Sequence, residues 1–428
     1  MIEKEGFFLG GLADVLPGVL STPENEHLRA LAARWRDLCA DAVDRNAALA
    51  ELWRRHNGLQ TMRPLILVFP EGSWNEIVPE QDLIIKDRFW RAYERYVTCE
   101  IHRAEHIHDD TIRQAEERVP RVIRDSGWGV VPERTYSESG MWREVARLHE
   151  PEAIETLQTM TWWVDRDRTR AHVDAVAEVF ADLLPVTEWK VNEHPYPGII
   201  PYVIRLRGLD ALVVDMIERP EWVHRLTRFV QEATLAQMDL AEASIDMALN
   251  NGNHHVGTGG IGYTDELPAP GRNGRVRYAD QWGHAQSQDY TCISAAMFKE
   301  FALDYQRPVM ERFGLSCFGC CERLDDEFDA VKKIRNLHRV SVSPFTDVEK
   351  ATETLGDRYV FSWKLDPAQL VGGSDEERIA GYIRKTLEVT RGCRVEMILK
   401  DTDTCQGRPE RFGKWLAVAR RACDEAAV

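Results

Sequence analysis

FGLSCFGCCERLDDEF, residues 313–328, decides how the rest of the chain is read. The short apolar run Leu315–Phe318 gives way at once to Gly319, Cys320, Cys321 and Glu322, which predicts a buried strand opening into a loop. Cys317 shares the strand face of Gly319 and is expected in the core. Cys320 and Cys321 lie beyond the apolar run, so they are candidates for metal ligation or thiolate chemistry, with Glu322, Asp325 and Asp326 close by. A bond between the two adjacent cysteines would strain the peptide, so separate thiols are expected.

Outward from this stretch, apolar runs alternate with amphipathic ones. RPLILVFPEGSW (63–74) contains a buried strand closed by Pro70 and Gly72. RVSVSP (339–344), YVFSWKLDPAQL (359–370) and RVEMILKDTDTC (394–405) read as further strands, and IIPYVIRL (199–206) and Ile245–Leu249 as two more. DSGWGVV (125–131) is expected to lead into another. Helical periodicity marks 23–57, 82–105, much of 150–190, 221–243 and 376–390. Strand and helix in turn are the grammar of a parallel sheet. Polar residues at one strand end after another favour a closed (β/α)8 TIM barrel over 61–428, preceded by an N-terminal helical extension over 1–60.

The 428 residues carry a net charge of −16, and Lys and Arg do not gather into a basic face, which disfavours nucleic acid and anionic membranes as partners. No run approaches the ~18 apolar residues of a membrane span. Nine cysteines in no regular framework fit a reducing, cytoplasmic setting.

Several strand ends offer side chains to a site. After the first strand stand Glu71, Trp74 and Glu76; after Leu249 stand Asn250, Asn251, Asn253, His254 and His255. His102 and His106 share a helix face near Asp109 and Asp110, a pattern closer to a solvated helix end than to a metal site. GTGGIG (257–262) has the spacing of a dinucleotide fingerprint but opens no helix, so it is read as a flexible substrate loop. Asp280, Gln281, His284, Gln286 and Gln288 are further candidates, and Lys364, Asp366, Lys400, Asp401, Asp403, Thr404 and Cys405 end the last two strands.

GCCE (319–322), KLDPAQL (364–370) and the polar tip LKDTDT (399–404) before the final helix resemble, in order and spacing from about Arg63 onward, the uroporphyrinogen decarboxylase superfamily. The corrinoid-linked methyltransferases are its nearest branch. The resemblance implies a barrel with its site at the C-terminal mouth, and zinc held by a His-x-Cys step and a cysteine near the last strand. Cys320 or Cys321 matches the first cysteine, but Phe318 or Gly319 stands where the histidine belongs; Glu322, His254, His255 and Cys405 are the replacements available. Porphyrinogen decarboxylases of the family use an arginine-rich loop after the first strand. PEGSWNEI (70–77) has no arginine and two glutamates, so an anionic tetrapyrrole is disfavoured.

What the resemblance implies is a zinc methyltransferase moving a methyl group between a small methylated donor and a corrinoid (cobalamin) cofactor on a partner protein. Cys320, Cys321 and Cys405 would be metal ligands; Glu322, Lys364, Lys400 and Asp401 catalytic; Glu71, Trp74, Asn251, His254, His255 and Gln288 substrate contacts. Two alternatives stay open: a metal-free decarboxylase or lyase of a small carboxylate, and a non-catalytic corrinoid- or tetrapyrrole-binding barrel.

Overall fold

Six short runs build one parallel sheet in a computed structural model that describes residues 9–130, 133–136, 142–145, 148–190, 198–371 and 375–426. The strands are β1 (Leu65–Val68), β2 (Trp282–Ala285), β3 (Leu315–Phe318), β4 (Leu337–Val342), β5 (Val360–Leu365) and β6 (Arg394–Leu399), in the spatial order β1-β6-β5-β4-β3-β2. Helices 348–355 and 376–389 supply the crossovers from β4 to β5 and from β5 to β6.

Alternation along the strands sorts the two faces. Ile66, Val68, Phe318, Val340, Phe361, Trp363 and Met397 point outward into the large core shared with the helices, including Ile379, Ile383, Phe412 and Trp415. The other face is partly charged. Arg339, Ser362, Lys364, Glu396 and Lys400 are all nearly or fully buried on it, beside a smaller apolar cluster of Leu65, Leu67, Phe69 and Ile398.

Both sheet edges are met by side chains acting as backbone mimics. On β1, Ile66 N–H donates to Asp110 (2.8 Å) and Val68 N–H to Asp109 (2.9 Å). On β2, Asn250 accepts from Trp282 N–H (2.8 Å) and donates to its carbonyl (3.0 Å). Asp109 and Asp110 are thus structural, paired with Arg103, and with Arg63 and Arg420, respectively.

The N-terminal helices α1 (Thr22–Ala40) and α2 (Val43–Asn57) bear out the helical expectation for 23–57. A capping box between Ser21 and Glu24 starts α1, which packs on α3 (Arg88–His106). α2 sends Leu49 and Trp53 into the inner apolar cluster.

Some expectations fail. IIPYVIRL is the helix Ile199–Arg207, buried on one face by Ile199, Ile200, Tyr202, Val203 and Leu206; an eight-residue apolar run does not separate strand from buried helix. Ile245–Leu249 joins no strand ladder, and the DSGWGVV stretch follows a short strand (Ile123–Asp125) and turns at 127–130, with Val131 outside the described residues. GTGGIG is not a loose loop: His255–Val256 and Gly260–Ile261 form a buried hairpin against the sheet's inner face. A Cβ on Gly257 would meet Cys317, on Gly259 Ile398 and on Gly260 Arg339, so the glycines permit that close approach. Among the described residues, no helix is long and apolar enough to cross a membrane.

Candidate active site

The sequence forces a sharp turn at the end of β3. Gly319 has φ +95°, and a Cβ there would come within 3.1 Å of Leu324 and Ser341. The turn presents Cys320 and Cys321, whose sulfurs lie 3.4 Å apart, and both thiols are free. Ser341 Oγ donates to the Cys320 carbonyl (2.7 Å), and Cys320 N–H donates to Glu322 (2.7 Å), fixing the loop from both sides.

From β6 comes Lys400, 3% exposed, whose ammonium donates to both oxygens of Asp401 (2.6 Å each). The same ammonium lies 3.2 Å from Cys321 Sγ and 3.9 Å from Cys320 Sγ. The one proton of the Cys321 thiol has two acceptors in reach, Asp401 Oδ2 (3.2 Å) and Cys320 Sγ (3.4 Å), and Asp401 N–H donates to Glu71 (2.5 Å). Asp401 and Glu71 both have positive φ (58° and 43°), a backbone arrangement uncommon for residues with a Cβ and concentrated at working sites.

Charge follows this geometry. The hydrogen bond from Cys321, opposed by burial and helped by Lys400, lowers the Cys320 thiol to about 7, so the pair holds one thiolate near neutrality with Cys321 still protonated. Burial would lower Lys400, yet the two sulfurs and Asp401 hold it above its ordinary range. Burial raises Glu71, with Lys400 pulling the other way.

Beneath lies a buried polar chain. Lys364 Nζ donates to Ser362 Oγ (2.6 Å), which donates to Glu396 (2.5 Å), itself paired with Arg339 (2.9 Å). Burial lowers Lys364 to about 8, with Glu396 opposing and Lys400 assisting. Burial works against the Glu396 carboxylate, but Arg339, His56 and Lys364 hold it well below the usual range. At the bottom, Asn57 accepts from Arg339 (2.8 Å) and from His338 at its carbonyl (2.6 Å), so α2 closes the network.

The structure therefore brings together Glu71, Cys320, Cys321, Glu322, Lys400 and Asp401, with Lys364 below them. Other sequence candidates lie elsewhere. Cys405 is fully buried with its thiol on Glu76 (3.2 Å), so it does not join the cysteine pair. Trp74 is core, packed edge-on to His102, and His102 is correspondingly no solvated side chain: burial lowers it to about 4. Asn251 braces a loop by donating to Leu267 O (2.6 Å). His254 and His255 line a separate small cavity with Trp35, Tyr96, Glu100 and Trp189. Gln288 is half-buried in a helical turn next to Ser287, whose N–H donates to Glu322.

Sequence reasoning missed the Glu396–Arg339–Ser362 relay. Its only trace is a charged residue inside each of two strands, RVSV and RVEM, where alternation alone suggests a solvent face.

The donor set does not fit zinc as it stands. Two thiolates on tetrahedral zinc sit about 3.8 Å apart, from Zn–S bonds of about 2.3 Å, close to the separation here. The Lys400 ammonium, however, is seated among the sulfurs and the Asp401 carboxylate, and His284, on the neighbouring strand β2, is turned to the Gly319 carbonyl (3.2 Å). Among the described residues, no three His, Cys, Asp or Glu side chains converge with metal-holding geometry. No protein-family model and no curated protein matches this chain.

Proposed function

We propose that this chain is a barrel enzyme, related to the uroporphyrinogen decarboxylase superfamily, acting on a small carboxylate without a metal, as a decarboxylase-type lyase. The observation that carries the reading is the fixed Lys400 cation between Asp401 and the two thiols, where a zinc site would need an empty position. The barrel itself is supported by the side-chain seams on β1 and β2, between which the parallel pair Glu117–Pro120 and Val186–Trp189 fits as the remaining wall.

In this scheme Lys364 and Lys400 pair with the substrate's anionic oxygens. As the bond to the carboxylate carbon breaks, carbon dioxide leaves and the electron pair stays on the substrate, stabilised by the two cations. The Cys321 thiol supplies the proton that completes the product and regains one from water; Asp401 and the Cys320 thiolate hold that thiol in place.

The test is release of labelled carbon dioxide from a panel of small 2- and 3-oxo acids by chelator-treated protein. Turnover that persists after metal stripping and disappears in Lys364→Met and Cys321→Ser supports the reading. Turnover that needs added zinc overturns it.

A second reading, methyl transfer to a corrinoid on a partner protein, is favoured by one observation: two sulfurs 3.4 Å apart, one with a lowered pKa. It requires Lys400 to leave its seat, and predicts stoichiometric zinc binding that Cys320→Ala and Cys321→Ala both abolish.

A further inference from the structure

A cleft of about 170 Å³ opens near the carboxyl ends of the parallel strands Glu117–Pro120 and Val186–Trp189, beside the start of the helix Arg166–Phe180 that packs against both. Three arginines line it. Arg121 directly follows the first strand, has a side chain only 6% exposed, and donates to Glu188 of the second. Arg166 and Arg170 stand four residues apart on the helix, so both reach the cleft from one helix face. Both are exposed, and neither has a hydrogen bond or ion pair among the described residues. The acids nearby are committed elsewhere: Glu188 to Arg121, Asp165 to the helix cap and to Arg124 and Arg168, and Asp246 to Lys190 (2.6 Å). The lining therefore carries two uncompensated positive charges in a chain of net charge −16. Val164, Val173 and Ile245 form the apolar part of the wall.

We propose that this cleft binds a phosphate monoester with a small apolar body, at a site that shares no lining residue with the thiol and lysine cluster and does not depend on the lyase reading. The phosphate takes Arg166 and Arg170, with Arg121 below them, and the carbon body lies on Val164, Val173 and Ile245. A phosphate monoester carries about −1.5 to −2 charges at pH 7, which answers both free guanidinium groups, whereas a monocarboxylate leaves one unanswered. The planar guanidinium fork also fits phosphate oxygens in bidentate pairs. Like charges at i, i+4 repel, and an anion between them relieves that cost. Arg166 is the first residue of its helix, so the helix dipole favours negative charge at the same place. Parallel α/β sheets take their ligands outside the carboxyl ends of the strands, where this cleft lies. It is smaller than the about 300–1,000 Å³ of drug-sized pockets, which limits the occupant to the head group and one ring or short chain.

The test titrates the full chain with phenyl phosphate, and with inorganic phosphate, benzoate and phenol as partial matches, by calorimetry and ligand-observed NMR. Phenyl phosphate is expected to bind saturably, about tenfold or more tighter than benzoate, and phenol not measurably. Arg166→Gln and Arg170→Gln, both at exposed positions, each weaken phenyl phosphate about tenfold, as for loss of a charge-assisted hydrogen bond. Val173→Ala weakens phenyl phosphate and leaves inorganic phosphate unchanged, while Lys400→Met changes the affinity of neither. No saturable binding, benzoate binding as tightly as phenyl phosphate, or unchanged affinity in either arginine variant overturns the proposal. Binding lost in a folded Lys400→Met protein overturns it too, because the anion would then sit at the lysines.

Discussion

Lys400→Met removes the cation that stands 3.9 Å from Cys320 Sγ and 3.2 Å from Cys321 Sγ, while keeping the length of the side chain. At an effective dielectric of 20, a unit charge at that longer distance is worth about 4 kcal/mol to the thiolate. Cys321 and Asp401 are partly open to solvent, so roughly half of this, about 2 kcal/mol, is expected to survive screening. That corresponds to about 1.5 pKa units. The Cys320 thiol should therefore move from about 7 to roughly 8.5, and Asp401, left without its ammonium, pushes the same way. At pH 7 the thiolate fraction falls from about one half to a few per cent, so alkylation slows roughly fifteenfold. The assay is the pH dependence of iodoacetamide labelling of Cys320, followed by peptide mass spectrometry in a Cys321→Ser background, where the hydroxyl keeps a donor beside Cys320. A folded Lys400→Met protein whose labelling midpoint stays near 7 refutes the charge arrangement described for the site.

Glu396→Ala strands Arg339, 1% exposed, in the interior and is expected to cost about 3–5 kcal/mol in urea unfolding. A loss below about 1 kcal/mol would mean the relay contributes nothing to the fold. Gly259→Ala places a Cβ 2.7 Å from Ile398 at φ +139°, and should lower stability by about 2–4 kcal/mol by the same measurement. Burial raises Asp110, but the hydrogen bond and charge of Arg63, with Arg420, bring it below its ordinary 3.8. Its contribution is complete above that ordinary value and is lost as pH falls toward the depressed one, so the stability gap between wild type and Asp110→Asn should be about 1.5–3 kcal/mol at pH 7 and shrink below pH ~4.

Strands β1, β3, β4, β5 and β6 were legible because parallel strands flanked by helices are rich in apolar and β-branched residues, as in LILV and, around their interior polar residues, VFSWKL and RVEMIL; β2, WGHA, carries too few to stand out. The thiol pair and the lysines were legible because a polar group directly after such a run lies at a strand's C-terminal end. Cys405 misled for a geometric reason: five residues after Lys400 the chain has already turned toward the last helix, and its thiol meets Glu76 instead. The Glu71 contact was anticipated only as a position; that its carboxylate takes Asp401 N–H depends on two positive-φ residues facing one another across loops 330 residues apart. The hairpin at 255–261 hid behind its glycines, which signal freedom in a sequence and close packing in the fold.

The insertion of Asn57 beneath the sheet has a kinetic corollary. Its bonds to His338 and Arg339 span 281 and 282 positions of the chain, and Leu59 receives a bond from Arg394 across 335. Contacts that remote in the chain make assembly slow, because the loop must close before they form. A nascent chain must keep its first sixty residues available until β4 and β6 have left the ribosome, so deleting them should yield an aggregation-prone intermediate instead of a shortened, autonomous α/β domain.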